Sequence, residues 1–192
     1  MMECRQAIME RRSIRRYKDE PIPREILEEI LEAGTMAPSA VNLQPWYFVA
    51  VQSPDAMAKL KAVMGRSAEA SREELEEQFP DHPEVVKESL DFIGGLGGAP
   101  LCILAFEFKD YDFEPVTITQ SVAAAIENIL LAAWERGVGS CWLTAPIETR
   151  MDEELRQVFA PDCGKMVAMV TLGYPEKTGR MPRRKTGRFI IV

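Results

Sequence analysis

Four short apolar runs, set between longer stretches with helical periodicity, predict an α/β sandwich built on one central sheet. The runs cover residues 46–51, 100–106, 140–143 and 166–172, each too short for an ordinary helix and rich in β-branched, aromatic or long aliphatic residues. Between them, apolar residues recur at three- and four-residue intervals. At 192 residues and 46% hydrophobic content, the chain reads as a single domain over 1–192 with a substantial core.

Residues 3–11 read as a short helix with Ala7 and Ile8 as its apolar contacts. Pro21 and Pro23 then break the chain before a helix at 24–33, where Ile26, Leu27, Ile30 and Leu31 form the buried stripe. Glu25, Glu28, Glu29 and Glu32 face water, and Gly34 supplies the stop. The segment from Ala37 to Pro45 is rich in turn formers, amides and hydroxyls, and it runs directly into the aromatic strand at 46–51. A polar loop entering a buried strand is a common place for a binding site.

A helix follows from Ser53 to Gly65. Residues 66–98 are charged and mostly acidic, and end in Gly94-Gly95-Leu96-Gly97-Gly98. These glycines neither follow a strand nor open a helix, which excludes a dinucleotide phosphate loop and leaves a hinge or linker. The segment reads either as a variable, mobile cap or as a solvated helical excursion. Beyond the strand at 100–106, Thr117 or Thr119 is expected to cap a long helix that runs to Arg136 on a stripe of Val122, Ile126, Ile129, Leu130, Ala133 and Trp134. Gly137 and Gly139 end it. Thr149, with Asp152 three residues on, resembles a capping box that opens a helix to Phe159. After the fourth strand the chain turns basic and closes on Phe189-Ile190-Ile191-Val192.

The net charge of -7 and pI near 5.0 argue against a general nucleic-acid binder, which needs an extended positive surface. The basic residues instead concentrate at Arg11 to Lys18 and at Arg180 to Arg188, as if one small anionic ligand were held from two sides. Arg11-Arg12-Ser13-Ile14-Arg15-Arg16-Tyr17 offers four forked guanidinium donors and the Ser13 hydroxyl, a set that suits a phosphate. A solvated basic turn is the plainer alternative.

Cys4, Cys102, Cys141 and Cys163 are too widely spaced for a redox pair or an iron–sulfur run, and fit free thiols in a reducing compartment. The single histidine, His82, excludes multi-histidine zinc sites and makes a hydrolase triad improbable. No apolar run of membrane-spanning length and no secretory leader stands out, so a cytoplasmic location is expected. The chemistry is therefore expected from a cofactor, with no protein group as catalytic residue and no metal.

The order of these pieces resembles the nitroreductase-like family of FMN flavoproteins. The matching pieces are Arg11-Arg12-Ser13-Ile14-Arg15, Pro38-Ser39-Ala40-Val41-Asn42-Leu43-Gln44-Pro45-Trp46 and Ala99-Pro100. Further along come Glu127-Asn128-Ile129-Leu130-Leu131-Ala132-Ala133, Gly137-Val138-Gly139-Ser140-Cys141-Trp142 and the pair Arg184-Lys185. The resemblance spans nearly the whole chain, leaving 66–98 and 107–116 without a recognisable pattern.

The resemblance implies a mostly antiparallel sheet flanked by helices, in a homodimer that exchanges its C-terminal tails and holds two FMN sites at the interface. Arg11, Arg12, Ser13 and Arg15 would hold the phosphate and part of the flavin, with Arg184 approaching the phosphate. Pro38, Ser39 and Asn42 would come from the partner subunit, while Leu143, Thr144 and Ala145 would present backbone to the ring. The chain has Thr144-Ala145-Pro146 where some relatives have a glycine-containing turn, and it lacks the extra cysteines that bind iron–sulfur clusters in others. The implied activity takes hydride from NADH or NADPH to flavin N5 and on to a nitroaromatic, quinone or similar small acceptor. Reductive dehalogenation, flavin fragmentation and a non-catalytic flavin carrier or sensor are the alternatives.

Overall fold

The computed structural model describes residues 3–109, 111–179 and 181–192; Arg180, counted above with the second basic cluster, lies outside them. Strands β1 (Trp46–Val51), β2 (Leu101–Glu107), β3 (Gly139–Leu143) and β4 (Met166–Gly173) form one sheet in the order β1-β2-β4-β3. Every neighbouring pair is antiparallel, with Val49 opposite Leu104, Ile103 opposite Val170 and Cys141 opposite Thr171.

Each residue of β2 is buried because helices cover both faces of the sheet. Alternation along the strand then divides the core in two. Leu101, Ile103 and Ala105 join Val170 and Leu172 beneath α2 (Arg24–Thr35) and α6 (Pro115–Glu135). Cys102, Leu104 and Phe106 join Met169 and Leu143 on the other side, facing α3 (Pro54–Ala70), α5 (Pro83–Gly95) and α8 (Asp152–Phe159). The remaining helices are α1 (Cys4–Glu10), α4 (Arg72–Gln78) and the single turn α7 (Ala145–Glu148).

Several local expectations are corrected. Gly34 does not stop α2; it lies inside the helix, where a Cβ would stand 2.7 Å from Ile129 Cγ1, so it is the close-approach point between α2 and α6. Ala7 is buried as expected, but Ile8 is exposed. Helix α3 continues past Gly65 to Ala70, capped at its start by the Ser53 hydroxyl, which accepts from the Ala56 N–H.

Thr117 and Thr119 sit within α6, whose first position is taken by Pro115, so neither caps it. Thr149 makes no capping box either, because its hydroxyl donates back to the Ala145 carbonyl at the end of α7. Helix α6 is 21 residues long with a mean hydropathy of 1.4 in its most apolar window, long and apolar enough by that measure to cross a membrane, contrary to the reading of the sequence. Its Val122, Ile126 and Ile129 are instead buried against α2 and the sheet, and Ile118 is buried as well.

The stretch at 94–98 is no free linker. Leu96, Gly97 and Gly98 take successive positive φ values of 56°, 62° and 75°, with Leu96 fully buried, so the chain closes α5 and turns directly into β2. Gly94 packs against Ala68 of α3, which fixes α5 on the body of the domain.

Candidate cofactor site

The basic segment after α1 runs along the outer edge of β3. Ser13 bridges Ser140 in parallel, the Ile14 N–H donates to the Ser140 carbonyl at 2.9 Å, and the Lys18 N–H donates to the Tyr174 carbonyl at 2.9 Å. Ile14 and Tyr17 point into the core. The Tyr17 hydroxyl donates to the Ile14 carbonyl at 2.6 Å and shares a 2.8 Å bond with Thr171 Oγ1, and burial pushes it far above its usual range, so it stays neutral. With those two side chains anchored inward, Arg15 and Arg16 remain exposed beside them.

Arg11, Arg12, Ser13 and Arg15 meet Arg184 of the C-terminal segment around one cavity of about 480 Å³. The two basic clusters predicted to grip one anion thus come together in space. Arg12 is spent mainly on backbone, donating to the Met9 and Arg11 carbonyls at 3.1 and 2.9 Å and contacting that of Glu10, which places a cation at the C-terminal end of α1. Arg11 lies 3.6 Å from the Glu127 carboxylate. Among the described residues, neither Arg15 nor Arg184 has a carboxylate partner. A cavity ringed by guanidinium groups with so little counter-charge favours an anion, and the donor set fits a phosphate.

A second cavity, of about 450 Å³, adjoins the first through Arg15, which lines both. Its floor is the end of β3 and the start of α7, with Leu143, Thr144 and Ala145 together. The first N–H groups of a helix have no partner within it; Pro146 has none to offer, so Ala145 carries the donor at this point. The Thr144 hydroxyl is occupied by a 2.7 Å bond to Glu148. Cys141 lies in the same wall. Burial raises its pKa, against the opposing influence of Arg15, the Ser13 hydroxyl and Arg11, so the thiol is protonated at neutral pH.

The opposite wall comes from α5 and includes Phe92, whose ring lies under the Arg15 guanidinium at 5.8 Å from centroid to Cζ. Phe92 does not stand out in the sequence, because one aromatic residue in an amphipathic helix looks like core.

Pro38, Ser39 and Asn42 are not brought to these cavities within one chain. They sit on the loop that enters β1, where Val41, Asn42 and Gln44 hold φ values of 45°, 56° and 50°. Left-handed backbone is readily tolerated by Asn42 but costs about 1–3 kcal/mol at Gln44 and at the β-branched Val41. Ser39 supports it, accepting the Gln44 N–H on its hydroxyl at 2.9 Å and the Asn42 N–H on its carbonyl at 3.1 Å. Residue types alone do not reveal this backbone conformation.

The family model described as "Nitroreductase family" matches residues 8–174. A solved nitroreductase with bound FMN from Bacteroides fragilis has a TM-score of 0.74 against this chain at 27% identity, covering all of both chains. An NADH dehydrogenase of Thermus thermophilus is 28% identical, over 93% of this chain and 90% of its own length. An iodotyrosine deiodinase of Thermotoga neapolitana is 29% identical, over 86% of this chain and 85% of its own length. With a four-stranded antiparallel sheet between helical layers and the family pattern matched over most of its length, this chain belongs to the nitroreductase family.

Proposed function

We propose that the protein is an FMN-dependent oxidoreductase that uses NADH or NADPH to reduce a small acceptor such as a nitroaromatic or quinone. The observation that carries this reading is the pair of cavities joined at Arg15, one ringed by Arg11, Arg12, Ser13 and Arg184, the other floored by Leu143, Thr144 and Ala145. A molecule with a phosphate at one end and a flat ring system at the other matches that sequence of charged and apolar surfaces. Bound there, FMN would supply the redox chemistry, hydride transfer between the nicotinamide and the acceptor.

The chain's own residues bind and orient. Arg11, Arg15 and Arg184 take the phosphate end, and the Arg15 guanidinium, at the junction, favours negative charge on the reduced ring system. Ala145 offers a backbone donor to the ring. In this reading helices α4 and α5, whose Leu75, Glu88 and Phe92 line the ring cavity, act as a cap that restricts which acceptors reach it. No protein acid or base is required, and solvent supplies protons.

Pro38, Ser39 and Asn42 complete the site from a second subunit. The loop that carries them lines neither of its own chain's two cavities, and the C-terminal Phe189, Ile190, Ile191 and Val192 are each at least 83% exposed in the single chain. An apolar tail of that kind is stabilised by exchange across a homodimer. Four free thiols fit a cytoplasmic protein.

Likeness to a deiodinase at similar identity favours reductive dehalogenation as the second reading. Anaerobic addition of NADH or NADPH to the flavin-loaded protein should bleach the oxidised flavin absorption within one turnover. Product analysis with a quinone, a nitroaromatic and a halogenated phenol then separates the two reactions. Flavin that stays oxidised under both nucleotides contradicts the proposal.

A further inference from the structure

We infer that Phe92 is a positioning residue, which fixes the Arg15 guanidinium against helix α5 and through it sets the reduction potential of the bound flavin. The inference rests on the FMN reading above and concerns how the site is tuned. The backbone at Arg15 is held on both sides, by the Ile14 N–H bond to Ser140 and the Tyr17 N–H bond to Gly97 at 3.0 Å. Its side chain, in contrast, has no carboxylate to direct it among the described residues. What it has is the Phe92 ring, at 5.8 Å.

That ring is a firm platform. Phe92 is 8% exposed and packs in the core cluster that includes Met64 and Leu96. The same spot explains Gly97, where a Cβ would fall 2.2 Å from the Arg15 carbonyl oxygen and 3.2 Å from Phe92 Cδ2. Arg15, Phe92 and Gly97 thus form one packed junction between the anion cavity and the helix above the ring cavity. The other link between these elements, Arg16 to Glu88 at 3.9 Å, has both side chains 74% exposed and contributes little.

A cation held at that junction stabilises the reduced, negatively charged cofactor more than the oxidised one. If the ring is removed, the guanidinium turns towards water and the difference shrinks. The test is the midpoint potential of bound FMN in Phe92→Leu and in its flexible volume match Phe92→Met, with Phe92→Tyr as the conservative control. Both ring-less variants should bind the reduced form about tenfold less tightly relative to the oxidised form, a shift of about 30 mV to more negative potential for a two-electron couple. Phe92→Tyr should keep the wild-type potential, and Phe92→Leu in an Arg15→Ala background should add no further shift.

A wild-type potential in the ring-less variants, with only their melting temperature lowered, overturns the inference while leaving the FMN reading intact. A shift of the same size in the Arg15→Ala background also overturns it. A wild-type protein that binds no FMN overturns both.

Discussion

A Cβ placed on Gly97 would stand 2.2 Å from the carbonyl oxygen of Arg15. Gly97 also holds a φ of 62°, whereas Gly95, two residues earlier, has a φ of -95° and open space around it. The two glycines therefore answer differently to alanine. Gly95→Ala should be neutral or stabilising by up to about 1 kcal/mol. Gly97→Ala should cost about 1–3 kcal/mol in stability and weaken FMN binding as well, because it displaces the backbone that carries Arg15. Denaturant unfolding and FMN fluorescence titration on both variants check this, and equal behaviour of the two would refute the close-packed junction.

Arg11→Ala and Arg15→Ala should each weaken FMN binding by about 1.5–3 kcal/mol, or one to two decades in Kd. Arg11 shares its charge with Glu127 at 3.6 Å, so the loss at Arg15 should be the larger. The same titration decides it; unchanged affinity in both removes the cluster from the site.

Much of this fold is legible in the sequence. The four strands were found because both faces of the sheet are covered, so each appears as a continuous apolar run, and the arginines stood out against an acidic chain. Gly34 reads in the sequence as a stop because a glycine near the end of a helical pattern usually ends it, and only the approach of Ile129 shows its packing role. Phe92 was missed because its partner, Arg15, lies 77 positions away along the chain. The strained Val41 was invisible, since a β-branched residue before a strand suggests extended backbone.

Stability should fall at alkaline pH. Burial pushes the Cys102 thiol up to about 12 and raises the Tyr17 hydroxyl further, while both titrate near their ordinary values once unfolded. A raised folded pKa gives stability that is whole below the unfolded value and is lost as pH rises towards the folded one. Between about pH 9 and 12 the denaturation midpoint should therefore decline, with each group contributing up to about 1.4 kcal/mol per pH unit. Cys102→Val should flatten the early part of that decline, and an unchanged profile would contradict the assignment.

Deleting residues 186–192 should lower the dimer fraction and release FMN together, because the apolar tail and the Pro38–Ser39–Asn42 loop both serve the same interface in the proposed assembly. Sedimentation velocity with absorbance at the flavin band follows both at once. A truncated protein that sediments as a fully flavinated dimer would contradict tail exchange.

In the proposed complex the guanidinium-ringed cavity of Arg11, Arg12, Ser13, Arg15 and Arg184 holds the phosphate of FMN. Riboflavin carries the same ring system without the phosphate, so the ratio of the two dissociation constants, measured by fluorescence titration in one buffer, isolates that cavity. Riboflavin should bind at least about a hundredfold more weakly, the equivalent of two lost charge-assisted hydrogen bonds. Equal affinity for the two flavins would contradict it.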